Sequence, residues 1–314
     1  MLMTYSDKPL ISVIIPTFTG TEYLKLLLPC YLRCPRVEVI IGLDGDNRGV
    51  RNYLEKLPVT ISMTRRRQGL CTATNLAARE ARGEYMLIVN DDMVPSPNWA
   101  DIFLKHCTND TVVSAACWEP GLIPVPSCFM TRSFGNNPDE FRIANFNEEA
   151  KKAGAEIKEK TELGINYPFM ISRNLWDSVN GLDERFNPGA ASDPDLFIRL
   201  VRLSEAPRMV RVPSIIFYHF ASRSSIFRGG RESTIWKLHV RRSRYLFRHK
   251  WRQKADNGIS WSQPIEHRFG EIPKRDRWTD IVPRPEPLLL GKLWRLVWFG
   301  PAGRHSVIKG DGAV

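Results

Sequence analysis

The sequence predicts an α/β fold: a mostly parallel, Rossmann-like central sheet flanked by helices. Three observations predict it. Strand-like and helix-like segments alternate through the first 117 residues with short connections. The strands are apolar on both faces, as strands covered by helices must be. They also run into polar clusters at their carboxyl ends, the clearest being Asn90-Asp91-Asp92 after Met86 to Val89.

The opening strand is ISVIIPTF, Ile11 to Phe18. An amphipathic stretch from Glu22 to Leu32 and a second strand, Val37 to Asp44, complete a βαβ unit. A third strand, Val59 to Thr64, passes through Arg65-Arg66-Arg67-Gln68-Gly69 into an Ala-rich helix, Thr72 to Ala81. The Met86 to Val89 strand, a helix starting near Pro97 and a strand over Thr111 to Ala116 follow. From Trp118 to Ile165 the sequence turns Pro/Gly-rich and polar, with one helix over Pro138 to Lys152. This segment reads as an insertion over the edge of the sheet, of the kind that often shapes a substrate pocket. YPFMISRNLW resumes the core, and Ala191 to Leu203 reads as a helix with Pro194 in its first turn and Asp193 as its cap. A strand over Met209 to His219 closes a domain spanning 1 to 225.

Residues 226 to 314 read as a basic helical extension. Residues 200 to 314 hold 23 Lys/Arg against 9 Asp/Glu, whereas the preceding 199 hold 22 against 25, so the net charge of +11 belongs to the carboxyl-terminal third. Trp236, Val240, Phe247 and Trp251 can share one face of a helix whose other positions carry arginines. The tail from Pro287 to Gly303 is apolar but interrupted by Lys292 and Arg295, too short to span a bilayer and suited to its interface. Such a surplus can meet anionic lipid, a phosphorylated substrate or nucleic acid, and charge alone does not choose.

The balance of 43% hydrophobic and 25% charged residues belongs to a globular protein. Cys30, Cys34, Cys71, Cys107, Cys117 and Cys128 show no repeated Cys-x-x-Cys pair, so they read as reduced packing thiols. No basic region precedes the first apolar run, which argues against a secretory signal and for a cytoplasmic chain, peripheral at the inner face of the membrane.

Carboxylates at the end of a buried strand lie where an open α/β sheet places its ligands. Two acids there suit a divalent cation that grips phosphate oxygens, although a solvated turn has the same composition. The ordered set of Leu43-Asp44-Gly45-Asp46, GLCTATNLAAREARGEYMLIVNDD, GLDERF with SDPDLFIRL, and a strand ending in His219 resembles the GT-A fold family 2 glycosyltransferases, inverting enzymes that use nucleotide sugars. The resemblance covers residues 11 to 251. Thr74 stands where Arg is usual, Leu43 and Asn90 where acids are usual, and Ser192 where Glu is usual.

The resemblance implies a nucleoside pocket at Pro16, Thr17 and Phe18, with Asp44 bonding the base of a donor, most often a UDP-sugar. It places Asn75, Asn90 and Asp91 near the nucleotide, Asp92 and His219 on Mn²⁺ or Mg²⁺, and Asp193 as general base on a hydroxyl of a glycan or lipid-linked acceptor. Each has a plain structural rival: a turn for Asp44, packing for His219, helix capping for Asp193. A polymerising membrane synthase is disfavoured, since Lys274 to Trp278 has Lys where that motif needs Gln. A sugar nucleotidyltransferase lacks its glycine-rich loop after Ile15. Nucleic-acid binding through Arg241, Arg242, Arg244, Arg248, Lys250 and Arg252 would leave the acidic motifs unexplained.

Overall fold

The computed structural model describes residues 8–121, 130–157, 161–163, 165–221, 230–251 and 305–310. In chain order its elements are β1 (Ile11–Thr17), α1 (Thr21–Leu32), β2 (Val37–Leu43), α2 (Arg48–Leu54), β3 (Thr60–Thr64), α3 (Leu70–Arg79), β4 (Tyr85–Ile88), β5 (Met93–Pro95), α4 (Trp99–His106) and β6 (Thr111–Glu119). There follow β7 (Met130–Thr131), α5 (Ile143–Ile157), β8 (Glu162–Leu163), β9 (Phe169–Ser172), α6 (Arg173–Ser178), a 3₁₀ turn (Glu184–Phe186), α7 (Ser192–Val201), β10 (Arg208–His219), α8 (Gly230–Trp251) and β11 (His305–Lys309).

The strands form one sheet in the order β11-β3-β2-β1-β4-β9-β6-β10-β5, with β7 beside β6 and β8 beside β10. Strands β3, β2, β1 and β4 pair in parallel. Between β4 and β6 runs β9, antiparallel to both, so β6 points the same way as β4, and β10 is parallel to β6. The expected parallel sheet is therefore present with one reversed strand inside it. The carboxyl ends of β1, β2, β4, β6 and β10 consequently share an edge.

Alternation along each strand divides the core in two. Ile11, Val13 and Ile15 of β1 face a cluster with Leu24 and Leu28 of α1 and Phe103 of α4. Ile14, with Met86 and Ile88 of β4, faces Ala77 of α3, Leu175 of α6 and Phe197 of α7. Helix α3 comes unusually close to the sheet: a Cβ on Gly42 of β2 would lie 2.4 Å from the Ala73 carbonyl oxygen, so the missing side chain permits the contact.

Several elements differ from expectation. In the Trp118 to Ile165 segment, β7 pairs with β6 and β8 pairs with β10, which lies next to the terminal strand β5. The segment's helix α5 packs on β10, burying Phe146 and Ala150, and Phe146 joins Trp118, Phe134, Phe141 and Tyr218 in one aromatic cluster. Helix α7 has Ala191 at its N-cap, in left-handed backbone with no side-chain cap bond, so Asp193 lies inside the first turn and not at the cap position. Helix α8 buries Phe247 and Trp251, as the spacing predicts, together with His239, Ser243 and Lys250, which hydrophobic spacing did not anticipate. Strand β11, unforeseen, adds antiparallel to β3. The Pro287 to Gly303 tail, the Lys274 to Trp278 segment and Cys128 lie outside the described residues. The five cysteines described are free thiols.

Candidate active site at the carboxyl edge of the sheet

Thr17 is the last residue of β1, and Asp44 follows the last residue of β2. The Asp44 amide donates to the Thr17 carbonyl at 2.8 Å, tying the two strand ends together. The Asp44 carboxylate is buried and accepts from the backbone amides of Gln68 and Gly69, the latter at 3.0 Å to both oxygens. It thereby pins the loop between β3 and α3. Burial raises its pKa, and the amides and the Arg67 guanidinium, 3.6 Å away, pull it back without cancelling the rise. Arg67 also lies over the Phe18 ring, 4.2 Å from its centroid. Pro16, Thr17, Phe18, Asp44 and Arg67 thus line one corner, holding an aromatic face, a carboxylate and a cation.

A second group starts from the turn between β4 and β5. Asn90 and Asp91 there are half-buried, and Asp92 is buried. Thr17 Oγ1 donates to Asp91 Oδ2 at 2.6 Å, joining this turn to the first corner. Asp92 faces His219, the last residue of β10, with Nε2 3.4 Å from Oδ1. The other ring nitrogen, Nδ1, is 2.6 Å from Glu119 Oε1 at the end of β6. Glu119 Oε2 is buried with no hydrogen-bond partner. Burial on its own would lower the His219 pKa, but Asp92 and then Glu119 outweigh it and hold it at about 10.

This arrangement fits a divalent cation. Two ligands each about 2.1 Å from a shared ion stand roughly 3 Å apart, near the observed Asp92 to His219 spacing. A histidine whose second nitrogen donates to a carboxylate is oriented as metal-bound histidines usually are. Among the described residues no three or more His, Cys, Asp or Glu side chains form a ready cage, so water and phosphate oxygens would complete the shell.

The other expected residues stand apart from these contacts. Asn75 Oδ1 accepts from the Leu182 amide at 2.9 Å while its Nδ2 donates to the Leu182 carbonyl at 2.8 Å and to Glu184 Oε1 at 3.3 Å, which commits both ends of the amide to tertiary packing. Asp193, half-buried on the first turn of α7, adds its charge to the burial that raises the pKa of the Tyr167 hydroxyl. Arg65 and Arg66 are exposed.

Sequence reading missed Glu119, because β6 was expected to stop at Ala116. The signal was available: Glu119 is an acid at the end of an apolar strand, the criterion that singled out Asp92. It also missed a buried ion cluster in which Lys250 of α8 contacts Asp183 and Asp195 at 2.9 and 2.7 Å.

Comparison with known proteins finds several similar sequences and structures. Residues 12–154 match the family model described as glycosyl transferase family 2. A chondroitin synthase of Pasteurella multocida (strain Pm70) is 27% identical over 210 residues, covering 65% of this chain and 20% of that protein. A hyaluronan synthase of Pasteurella multocida is 23% identical over 210 residues, with the same coverage. The chain therefore spans about a fifth of the length of these relatives. A mannosyltransferase from Pyrobaculum calidifontis, solved with GDP-Man and Mn²⁺, is 17% identical with a TM-score of 0.47, covering 77% of this chain and 70% of that one. Residues 12–154 are thus similar to the glycosyl transferase family 2 domain.

Proposed function

We propose that the chain transfers one sugar from a nucleotide sugar, a UDP-sugar first among candidates, to a hydroxyl of a glycan or lipid-linked acceptor, with inversion at the anomeric carbon. The observation that carries this reading is the meeting of two unlike corners at one sheet edge, bridged by Thr17 and Asp91: Phe18, Asp44 and Arg67 on one side, Asp92, His219 and Glu119 on the other. An aromatic face and a carboxylate suit a nucleobase, and an adjacent cation-binding pair suits the diphosphate that follows it.

Asp44 holds the loop after β3 in place, so the backbone facing the base is preset before the donor arrives. Asp92 and His219 would hold Mn²⁺ or Mg²⁺, whose charge, when bound, stabilises the departing nucleoside diphosphate. Glu119 fixes the His219 ring by accepting from Nδ1, leaving Nε2 directed at Asp92. Asp193 takes the proton from the acceptor hydroxyl as that oxygen attacks the anomeric carbon from the face opposite the leaving group. No covalent sugar intermediate is required.

The acceptor reading draws on the outer face of α8, where Arg241, Arg244 and Arg248 are exposed beside Tyr245, itself 65% exposed. Cations around an aromatic ring suit an anionic lipid surface carrying the acceptor. No helix among the described residues is long and apolar enough to cross a membrane. The names of the Pasteurella relatives favour a glycan product. Single addition by this chain is our reading; its match covers 20% of each Pasteurella synthase.

Asp193→Asn tests the base. Donor binding stays within about twofold of wild type while transfer falls by a factor on the order of 10² to 10⁴. Transfer at the wild-type rate would remove Asp193 from the mechanism.

A further inference from the structure

Helix α7 carries Asp193 but has no side-chain cap of its own, because its N-cap is Ala191 in left-handed backbone with φ 65°. Its apolar face is packed in the core, and its first turn is also held by side chains of other elements. Asp195, one residue past Pro194 and fully buried, accepts at Oδ1 from Lys250 Nζ at 2.7 Å and from Trp251 Nε1 at 2.9 Å. Its other oxygen accepts from Arg199 Nε at 2.8 Å, and the Arg199 guanidinium goes on to bond the carbonyls of Val179 and Gly181.

Lys250 reaches a second element too. Its ammonium donates to Asp183 Oδ2 at 2.9 Å, and Asp183 caps the 3₁₀ turn through the Arg185 amide. That turn leads to Asn187, whose Oδ1 accepts from the Cys71 amide at 3.0 Å and whose Nδ2 donates to Thr72 Oγ1 at 2.8 Å, at the start of α3. Gly69, held by Asp44, immediately precedes α3. Lys250 is 1% exposed, so a charged side chain has been drawn into the interior to join α7 with the segment that abuts the nucleotide corner. Phe247 and Trp251 pack on the same side, Phe247 against Phe186 with ring centroids 6.3 Å apart.

We propose that Lys250 and Trp251 are positioning residues for sugar transfer: the end of α8 clasps Asp195 and Asp183, and so fixes Asp193 relative to the donor corner. The inference rests on the transferase reading above. It makes α8 part of the catalytic apparatus, not merely a surface-docking helix. The clasp acts on placement of the base and not on donor contact, so its loss falls on turnover.

The test is steady-state transfer with the sugar nucleotide that the wild type uses, alongside calorimetric binding of the matching nucleoside diphosphate, on full-length Lys250→Met, Lys250→Arg and Trp251→Phe. The expected result for Lys250→Met is a kcat about 10- to 100-fold below wild type, the scale of a misplaced catalytic group, with nucleotide Kd unchanged within about twofold. Lys250→Arg restores a substantial part of kcat, because a guanidinium can still span both carboxylates. Trp251→Phe, which keeps an aromatic side chain and loses one donor, shows a smaller fall in kcat and decides the matter if Lys250→Met does not fold. A kcat within twofold of wild type in the folded variants would overturn the proposal, as would kcat and nucleotide affinity falling together, the mark of general structural damage. A wild type that binds nucleoside diphosphates yet turns over no sugar nucleotide would overturn the transferase reading, and this inference with it.

Discussion

His219 Nε2 stands 3.4 Å from Asp92 Oδ1, across the junction where β10 ends beside the turn leading into β5. A proton between them serves where a metal ion can, and the two compete. With the His219 pKa held at about 10, the ring is protonated at neutral pH in the metal-free protein, so cation binding must expel a proton. Apparent Mn²⁺ affinity should therefore climb with pH toward about 10, by up to roughly tenfold per unit. Calorimetry in buffers of different ionisation enthalpy would register the released proton. A pH-independent affinity would exclude His219 as a ligand.

Glu119 holds the far side of that ring. Glu119→Gln removes the carboxylate facing Nδ1 and should weaken Mn²⁺ binding about 10- to 100-fold without loss of fold, as supporting carboxylates generally do. Titration of the variant with Mn²⁺, alongside a melting curve, separates the two effects.

Much of this was legible beforehand. The doubly apolar strands gave the sheet, acids at the end of a buried strand drew attention to Asp91 and Asp92, and Asp44 came from the ordered motif series. Glu119 escaped because strand propensity in Ala-Ala-Cys-Trp did not reveal that β6 continues to the site edge. Lys250 escaped for a different reason: a lysine in a basic helix reads as solvated, and only the folded chain brings Asp183 and Asp195 to it. The bonds that tie the Asn75 amide to Leu182 were not legible in the motif series, since they span more than 100 residues of sequence.

Asp44→Ala should unfasten the loop after β3. It leaves the buried Gln68 and Gly69 amides without their acceptor, at a cost of about 1–3 kcal/mol. Chemical denaturation measures that loss, and nucleotide affinity should fall with it.

Gly42→Ala tests the packing of α3 on β2 away from the chemistry. The new Cβ would meet the Ala73 carbonyl at 2.4 Å, so the helix must retreat, and stability should drop by about 1–3 kcal/mol. An unaltered denaturation midpoint would contradict this account of the close approach.

His239 provides an acid-side prediction. Burial, then the Arg242 and Arg67 charges, lower its pKa from 6.5 to about 4. The unfolded chain binds the proton more readily, so this residue's destabilising contribution begins as pH falls through 6.5 and is complete below about 4. His239→Gln should flatten the decline of stability between those limits, by up to about 3 kcal/mol in a denaturation series against pH.

The central claim is that the two corners bridged by Thr17 and Asp91 form one donor site. The most direct measurement is calorimetric binding of UDP, GDP, CDP and dTDP, each with Mn²⁺ and with a chelator, to the wild type and to Asp92→Ala. The account predicts that one nucleotide, UDP foremost, binds selectively, that chelation weakens it, and that Asp92→Ala abolishes the metal dependence. Absence of binding to all four, or binding indifferent both to Mn²⁺ and to Asp92, would contradict it.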